Sequence, residues 1–419
     1  MSDPSNDNAS KPTKGSPQGA ADRVSAVHSQ ARPTFVLSAL SAVVAAVLVP
    51  IPNRTGLWLP LHVFMVGTLL GAIVAATQLL AVTWSSSPAP GRVLANAQRL
   101  TLFVGVALVA IGRELPIDSS LGKALIGIGG TSVILTLILL IVSMVQIRRG
   151  AVTDRYAPAI LGYIISASFG IVGIVLGAAL ASGSFGSDFA AVRGVHLTAN
   201  ALGLVGIVIA STLPFFLATQ ARMKMAPFAT SERITASIIL LAISTIISLV
   251  GWVTSTDVVA AIGAWLYAAI LAGSVTLYPR VKRKQFDWAG PRLAQMATGF
   301  LWSIVALVLL GVSALGGSPT LDTVLVLMVL GGYAQIVSAS LNYFAPVITA
   351  GKRKPGEGLR LTRSWVSFAA GNIAAIGVIA RVREIAAMAV AVWLCELAYR
   401  LILLVRFSRD TNAAAGSAP

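Results

Sequence analysis

The chain has 419 residues, of which 56% are hydrophobic and 11% charged, and its mean hydropathy is +0.84. Soluble domains carry about 25% charged residues, so the composition excludes an ordinary soluble protein and favours one that lies in a lipid bilayer. The net charge of +16 is compatible with a nucleic-acid or a membrane-surface partner. Because the basic residues sit in short loops and form no continuous basic face, we expect no nucleic-acid partner.

Long apolar runs follow one another along most of the chain. A helix needs about 20 apolar residues to cross the hydrocarbon core, and the runs are continuous rather than alternating, which excludes a strand barrel. The sequence therefore predicts an all-α polytopic membrane protein with twelve transmembrane helices, of which spans 3 and 11 are short. The predicted spans are 34–51, 58–84, 98–114, 121–146, 157–181, 190–219, 232–254, 257–278, 293–315, 321–347, 364–381 and 384–406.

The two ends of the chain are polar, and the basic residues are unevenly distributed between the loops. Residues 1–33 and 407–419 have too little apolar surface to fold alone, so both are predicted to be disordered tails.

If the N-terminus is cytoplasmic, about 24 of the 31 basic residues fall on the inner side. This bias predicts a protein of the cell inner membrane with both termini in the cytoplasm.

Spans 2, 6 and 10 share a pattern that predicts an internal repeat. Each has a glycine, then a hydroxyl residue six positions later, and each following span begins near an arginine. The pattern predicts three parallel four-helix repeats, 34–150, 157–284 and 292–406, related by an axis along the membrane normal. Small residues allow close helix packing in lipid, so these three spans should lie inside the bundle. The aligned residues are Gly71, Thr77 and Arg99; Gly206, Thr212 and Arg233; and Gly332, Ser338 and Arg363.

Two histidines occupy equivalent positions near the outer ends of spans 2 and 6. His62 and His196 are the only histidines outside the N-terminal tail, and the third repeat has Asp322 instead. Imidazole is a good ligand for haem iron or copper, and the repeat could bring the two rings face to face. The alternative interpretation is that each is an interfacial residue bonded to a backbone carbonyl or to water.

Other polar residues near the membrane have two interpretations each. Asn200 could support a site or make an interhelical hydrogen bond. Glu396 and Arg400 are spaced to form an i,i+4 ion pair, which either neutralises the two charges or belongs to a proton or ion path. Four arginines near the outer face could hold haem propionates or be loop charges. They are Arg54, Arg113, Arg193 and Arg381.

Two stretches carry a resemblance to a known family. They are LPLHVFMVGTLLGAIVAATQLLAVTW (59–84) and RGVHLTANALGLVGIVIASTLPFFLATQARMKMAP (193–227). They resemble the haem–copper oxidase subunit I architecture, and more closely the membrane domain that precedes bacterial copper nitrite reductase or multicopper oxidase domains. The NnrS family is a more distant likeness. The resemblance implies a twelve-helix bundle, haem b or copper as cofactor, and a copper oxidase, nitrite reductase or other redox protein as partner.

The sequence also departs from that family. True oxidases have several histidines on spans 6, 7 and 10, whereas spans 7 and 10 of this chain have none. His62 matches the position of the low-spin haem ligand, but its partner on span 10 is missing. The resemblance therefore implies that the protein is not a terminal oxidase.

Three functional hypotheses remain open from the sequence. The first is a haem- or copper-binding component in electron transfer or in nitrogen-oxide or copper handling, with His62 and His196 as ligands. The second is a small-solute transporter or permease, and the third is a cofactor-free membrane scaffold. The sequence contains no phosphate-binding loop and no nucleophile motif. Nothing in it therefore supports ATP hydrolysis or covalent catalysis.

Overall fold

The computed structural model describes residues 19–349 and 355–416, and these contain helices and no β-strand. We number the apolar helices α1 to α12 in chain order. Eleven of the described helices are long and apolar enough to cross a membrane, so the protein is a multi-pass membrane protein. The helices are α1 Ala20–Leu48, α2 Trp58–Ser85, α3 Arg92–Glu114, α4 Ser120–Arg149, α5 Ala157–Ala181, α6 Gly186–Ala221, α7 Ser231–Val253, α8 Asp257–Leu277, α9 Pro291–Ala314, α10 Leu321–Thr349, α11 Trp365–Ile379 and α12 Arg383–Gly416.

The predicted span 364–381 differs from the other predicted spans in its length. It forms α11, a helix of 15 residues, which at 1.5 Å per residue is about 22 Å long. That is shorter than the hydrocarbon core of about 30 Å. The sequence count of twelve spans and their division into three repeats therefore remain predictions.

Both chain ends are more helical than the sequence predicted. Helix α1 begins at Ala20, so residues 20–33 of the segment predicted to be disordered are helical instead. Val27 and Ala31 in this stretch are buried against the bundle, and that packing supplies the stabilisation that composition alone did not reveal. At the other end α12 continues to Gly416 through most of the tail predicted to be disordered. Residues 1–18 and 417–419 lie outside the described residues.

Helices α2, α6 and α10 form the interior of the bundle, as predicted from their small residues. In their most apolar stretches 78%, 83% and 61% of the residues are buried, against 17–44% in the other spans. An apolar cavity of about 70 Å³ lies between them, lined in part by Thr77, Thr212 and Ser340. The prediction that these three helices are internal is confirmed.

Each of the three inner helices contains a π-helical segment. The segments are Val63–Leu70, Ala199–Gly206 and Met328–Tyr333. The wider turn disturbs the regular hydrogen bonding of the backbone, and such segments often occur at functional sites. Tyr333 of α10 donates a hydrogen bond to the carbonyl of Ala201 in the segment of α6 at 2.7 Å. This tyrosine therefore ties α10 to the distorted turn of α6.

Helices α3 and α4 approach closely through glycines, and this contact supports a stability prediction. A Cβ atom on Gly129 would lie 2.8 Å from both the carbonyl oxygen of Gly105 and the backbone nitrogen of Val109. Gly129→Val should therefore lower the free energy of unfolding by about 1–3 kcal/mol and lower the thermal midpoint in detergent. The matched control is Gly127→Val in the same helix, because a Cβ there meets no atom within 4 Å. Equal midpoints for the two variants would contradict this packing.

Candidate functional site

His62 and His196 face each other between α2 and α6. Their ring centroids are 6.4 Å apart and their planes differ by 12°. His62 lies directly before the π-helical segment of α2, and His196 lies three residues before that of α6. The structure thus brings together the two histidines that the sequence predicted as ligands.

Each imidazole has a hydrogen-bond partner on its Nδ1 atom. Nδ1 of His62 lies 2.8 Å from the carbonyl oxygen of Trp58, and Nδ1 of His196 lies 2.7 Å from that of Gly173. A carbonyl oxygen can only accept, so each Nδ1 must carry the hydrogen. In a neutral imidazole this leaves Nε2 with a free lone pair, which is the arrangement found in metal-binding histidines.

The distance between the rings matches a shared metal atom. A metal–nitrogen bond to imidazole is about 2.0–2.1 Å long, and the centre of the ring lies about 1.1 Å behind Nε2. Two imidazoles that bind one metal from opposite sides therefore have ring centroids about 6.3 Å apart. The observed separation is 6.4 Å. The centroid distance therefore meets one requirement of a shared metal; the second is that both Nε2 lone pairs, which lie in the ring planes, point at the same place between α2 and α6.

Helix α5 holds the imidazole of His196 through two glycines one turn apart. A Cβ on Gly177 would lie 2.5 Å from Cε1 of His196, and Gly173 supplies the carbonyl that accepts from Nδ1. Asn200 donates to the backbone carbonyl of His196 at 2.8 Å. Asn200 was predicted from the sequence as a supporting residue, whereas neither glycine was, although their four-residue spacing in span 5 was a usable signal.

The two rings line a cavity of about 80 Å³ bounded by α2 to α6. The other lining residues are apolar apart from the Trp58 indole. This volume admits a metal ion with a small ligand and is too small for a tetrapyrrole. The lining residues beside the histidines include Val66, Val106, Val109, Ala110, Gly130, Gly177, Ala178 and Ala181.

The predicted supporting arginines have different partners. The guanidinium of Arg113 lies 5.8 Å from the ring of Trp58, which stacks on His62 with a centroid distance of 3.9 Å. Arg193 precedes His196 by three residues on α6 and forms an ion pair with Asp322. The backbone N–H of Arg54 donates to Glu114 at 2.8 Å, and Arg381 donates to the hydroxyl of Ser318 at 2.8 Å. A propionate role for any of the four stays a prediction.

The polar pair on α12 lies away from the two histidines. Glu396 accepts from Arg400 Nε at 2.7 Å and from the hydroxyl of Ser364 at 2.5 Å. Arg400 also donates to the carbonyl of Leu361 at 3.2 Å. Because Ser364 caps the start of α11, the ion pair links α12 to that end of α11. These bonds give the two charges a structural role.

Comparison with known proteins leaves the resemblance to haem–copper oxidases as an expectation. Neither a protein-family profile nor a curated protein sequence matches this chain. The functional interpretation therefore depends on the geometry of the two histidines and on the chemistry of their surroundings.

Proposed function

We propose that this multi-pass membrane protein is an electron-transfer component whose redox metal is bound by Nε2 of His62 and Nε2 of His196. The observation that supports it is the pair of facing imidazoles, each with Nδ1 directed to a backbone carbonyl. The proposal keeps the first of the three functional hypotheses and sets aside the transporter and the scaffold.

Haem b is the group that the family resemblance implies, but a cavity of about 80 Å³ is too small for a tetrapyrrole, so the residues around the two histidines do not fit it as they are placed. Among the described residues no group of three or more His, Cys, Asp or Glu side chains could hold a metal ion. Haem iron needs no such group, because the tetrapyrrole supplies four nitrogens and the protein adds one or two axial ligands. The lining of the cavity is apolar like the surroundings of a macrocycle, and Arg113 lies beside Trp58 at its edge, but the side chains around the histidines leave no room for the tetrapyrrole.

Copper is the second candidate, and the volume of the cavity favours it. About 80 Å³ accommodates a single ion directly, without displacement of the lining valines. Imidazole is a suitable ligand for copper, and Nε2 of His62 and Nε2 of His196 would be the atoms that hold the ion. The same two histidines would then hold a bare ion.

Electron transfer is favoured over catalysis at the metal for either candidate. If a metal group were bound, His62 and His196 would both be its ligands, and catalytic metal sites need an open position for substrate. Apart from the Trp58 indole, the residues that line the cavity beside the two histidines are apolar and offer no group to bind or orient a substrate. The group would supply one-electron redox chemistry, and the two histidines would hold it in place.

The test is a direct measurement on the purified protein. The chain is expressed in cells supplied with 5-aminolaevulinate and copper, and is purified in detergent. Its reduced-minus-oxidised absorption spectrum and its iron and copper content are then measured. A low-spin haem spectrum with one iron per chain supports haem b, and one copper per chain without a Soret band supports copper. A colourless protein free of both metals overturns the proposal and returns the transporter and scaffold hypotheses.

A further inference from the structure

A buried arginine lies at the end of the bundle opposite to the two histidines. Arg292, in the first turn of α9, is 1% exposed. The distribution of basic residues predicts that this end is cytoplasmic. Taking an arginine out of water is costly unless its charge is paired and its donors are bonded.

The guanidinium of Arg292 has only part of its hydrogen-bonding capacity satisfied. Nη1 donates to the carbonyl of Leu359 at 2.7 Å, whereas Nε and Nη2 are buried without a partner. Nε and Nη2 form one edge of the guanidinium, and their N–H groups point in parallel. This edge is the fork that binds a carboxylate or a phosphate through two hydrogen bonds.

Two further arginines add positive charge at the same place. The charges of Arg222 and Arg363 both act on Arg292. Arg222 lies over the ring of Trp288 at 3.4 Å, and Trp288 has a buried indole N–H without a partner. Nη2 of Arg363 lies so close to Gly290 that a Cβ atom there would be 2.5 Å away.

No carboxylate balances these charges in the part of the chain that the structure describes. The ion pairs of the described residues join Arg148 to Asp154, Arg193 to Asp322 and Arg400 to Glu396. Arg222, Arg292 and Arg363 take part in none of them. An anion from outside the chain would supply both the missing charge and the missing acceptors.

We propose that Arg292, together with Arg222 and Arg363, binds a phosphate group. Two oxygens of a phosphate match the two free N–H groups of Arg292. The positive charges of Arg222 and Arg363 favour a phosphate, which carries one or two negative charges. Basic pockets between transmembrane helices on the cytoplasmic side are suited to phospholipid head groups, and free phosphate offers the same oxygens. This site is independent of the metal proposed at the two histidines.

The test is the thermal midpoint of the detergent-purified protein, because a ligand that binds the folded state raises it. One arm adds sodium phosphate against sodium chloride at equal ionic strength. The other arm adds phosphatidylglycerol to the protein in a detergent without phosphate, with a glycolipid that lacks phosphate as the control. We expect the midpoint of the unmodified protein to rise with ligand concentration in at least one arm. A rise with phosphate alone identifies free phosphate, and a rise with phosphatidylglycerol identifies a lipid head group.

Two arginine variants separate a built site from a general charge effect. Arg292→Met should weaken the apparent affinity at least about tenfold, since it removes the charged hydrogen-bond fork. Arg99→Met is the matched control and should behave as the unmodified protein, because within the described residues the side chain of Arg99 donates to Asn96 on its own helix and lies in no ion pair. If Arg292→Met does not fold, Arg363→Gln replaces it, with a weakened response expected. The proposal is overturned if the thermal midpoint of the unmodified protein does not rise with ligand concentration in either arm. It is also overturned if Arg292→Met and Arg99→Met respond equally to the ligand.

Discussion

Replacing His62 by alanine is expected to abolish metal binding at the pair of facing imidazoles. His62→Ala removes one of only two protein ligands, and His196→Ala removes the other. Even loss of a residue that merely orients a ligand costs about 10- to 100-fold in metal affinity, so loss of a ligand should cost more than that. Each variant, purified beside the unmodified chain, should contain less than about a tenth of its metal.

The spectrum of the same variants distinguishes the candidate metals. With haem b, loss of one imidazole should convert any residual low-spin spectrum to a high-spin one, and added free imidazole should restore it by filling the vacated position. With copper, both metal content and redox activity should disappear together. The spectra and the iron and copper contents of the variants check both outcomes.

The third histidine provides the control for these variants. His28 lies in α1 and lines no part of the cavity between α2 and α6. His28→Ala should therefore retain the full metal content and the unmodified spectrum. If His62→Ala and His196→Ala also kept them, the metal would have to be bound elsewhere and the two imidazoles would be structural.

The sequence predicted the parts of this structure that follow from the bilayer as a solvent. Backbone polar groups in lipid must be satisfied within helices, so each long apolar run had to be a span. The two histidines were predicted as partners because they occupy equivalent positions in spans 2 and 6. The burial of α2, α6 and α10 followed from their glycines, because close packing in lipid requires small residues.

Features that depend on contacts between helices were outside the reach of the sequence. The start of α1 at Ala20 depends on the burial of Val27 and Ala31, which local composition does not reveal. The hydrogen bond from His196 to Gly173 depends on the relative rotation and height of α5 and α6. The burial of Arg292 was also unexpected, since an arginine at a span end usually reaches water.

Gly177→Ala is expected to lower the metal affinity more than any other change at a residue that is not itself a ligand. A Cβ at position 177 would lie 2.5 Å from Cε1 and 2.7 Å from Nδ1 of His196, closer than such atoms can approach. The imidazole must therefore turn away and lose its 2.7 Å hydrogen bond to Gly173. Metal affinity should fall about 10- to 100-fold, as for other residues that orient a ligand. Metal content after dialysis against a chelator measures this loss.

Alanine is chosen so that an effect on the metal site can be distinguished from an effect on the stability of the helix. Alanine favours a helix over glycine by about 1 kcal/mol, so a general loss of folding would not be the expected cause of a lower metal content. Gly127→Ala makes the same change in α4, where a Cβ meets no atom within 4 Å, and it should keep the metal fully. If Gly177→Ala retained as much metal as Gly127→Ala, the ring of His196 could not occupy the place that pairs it with His62.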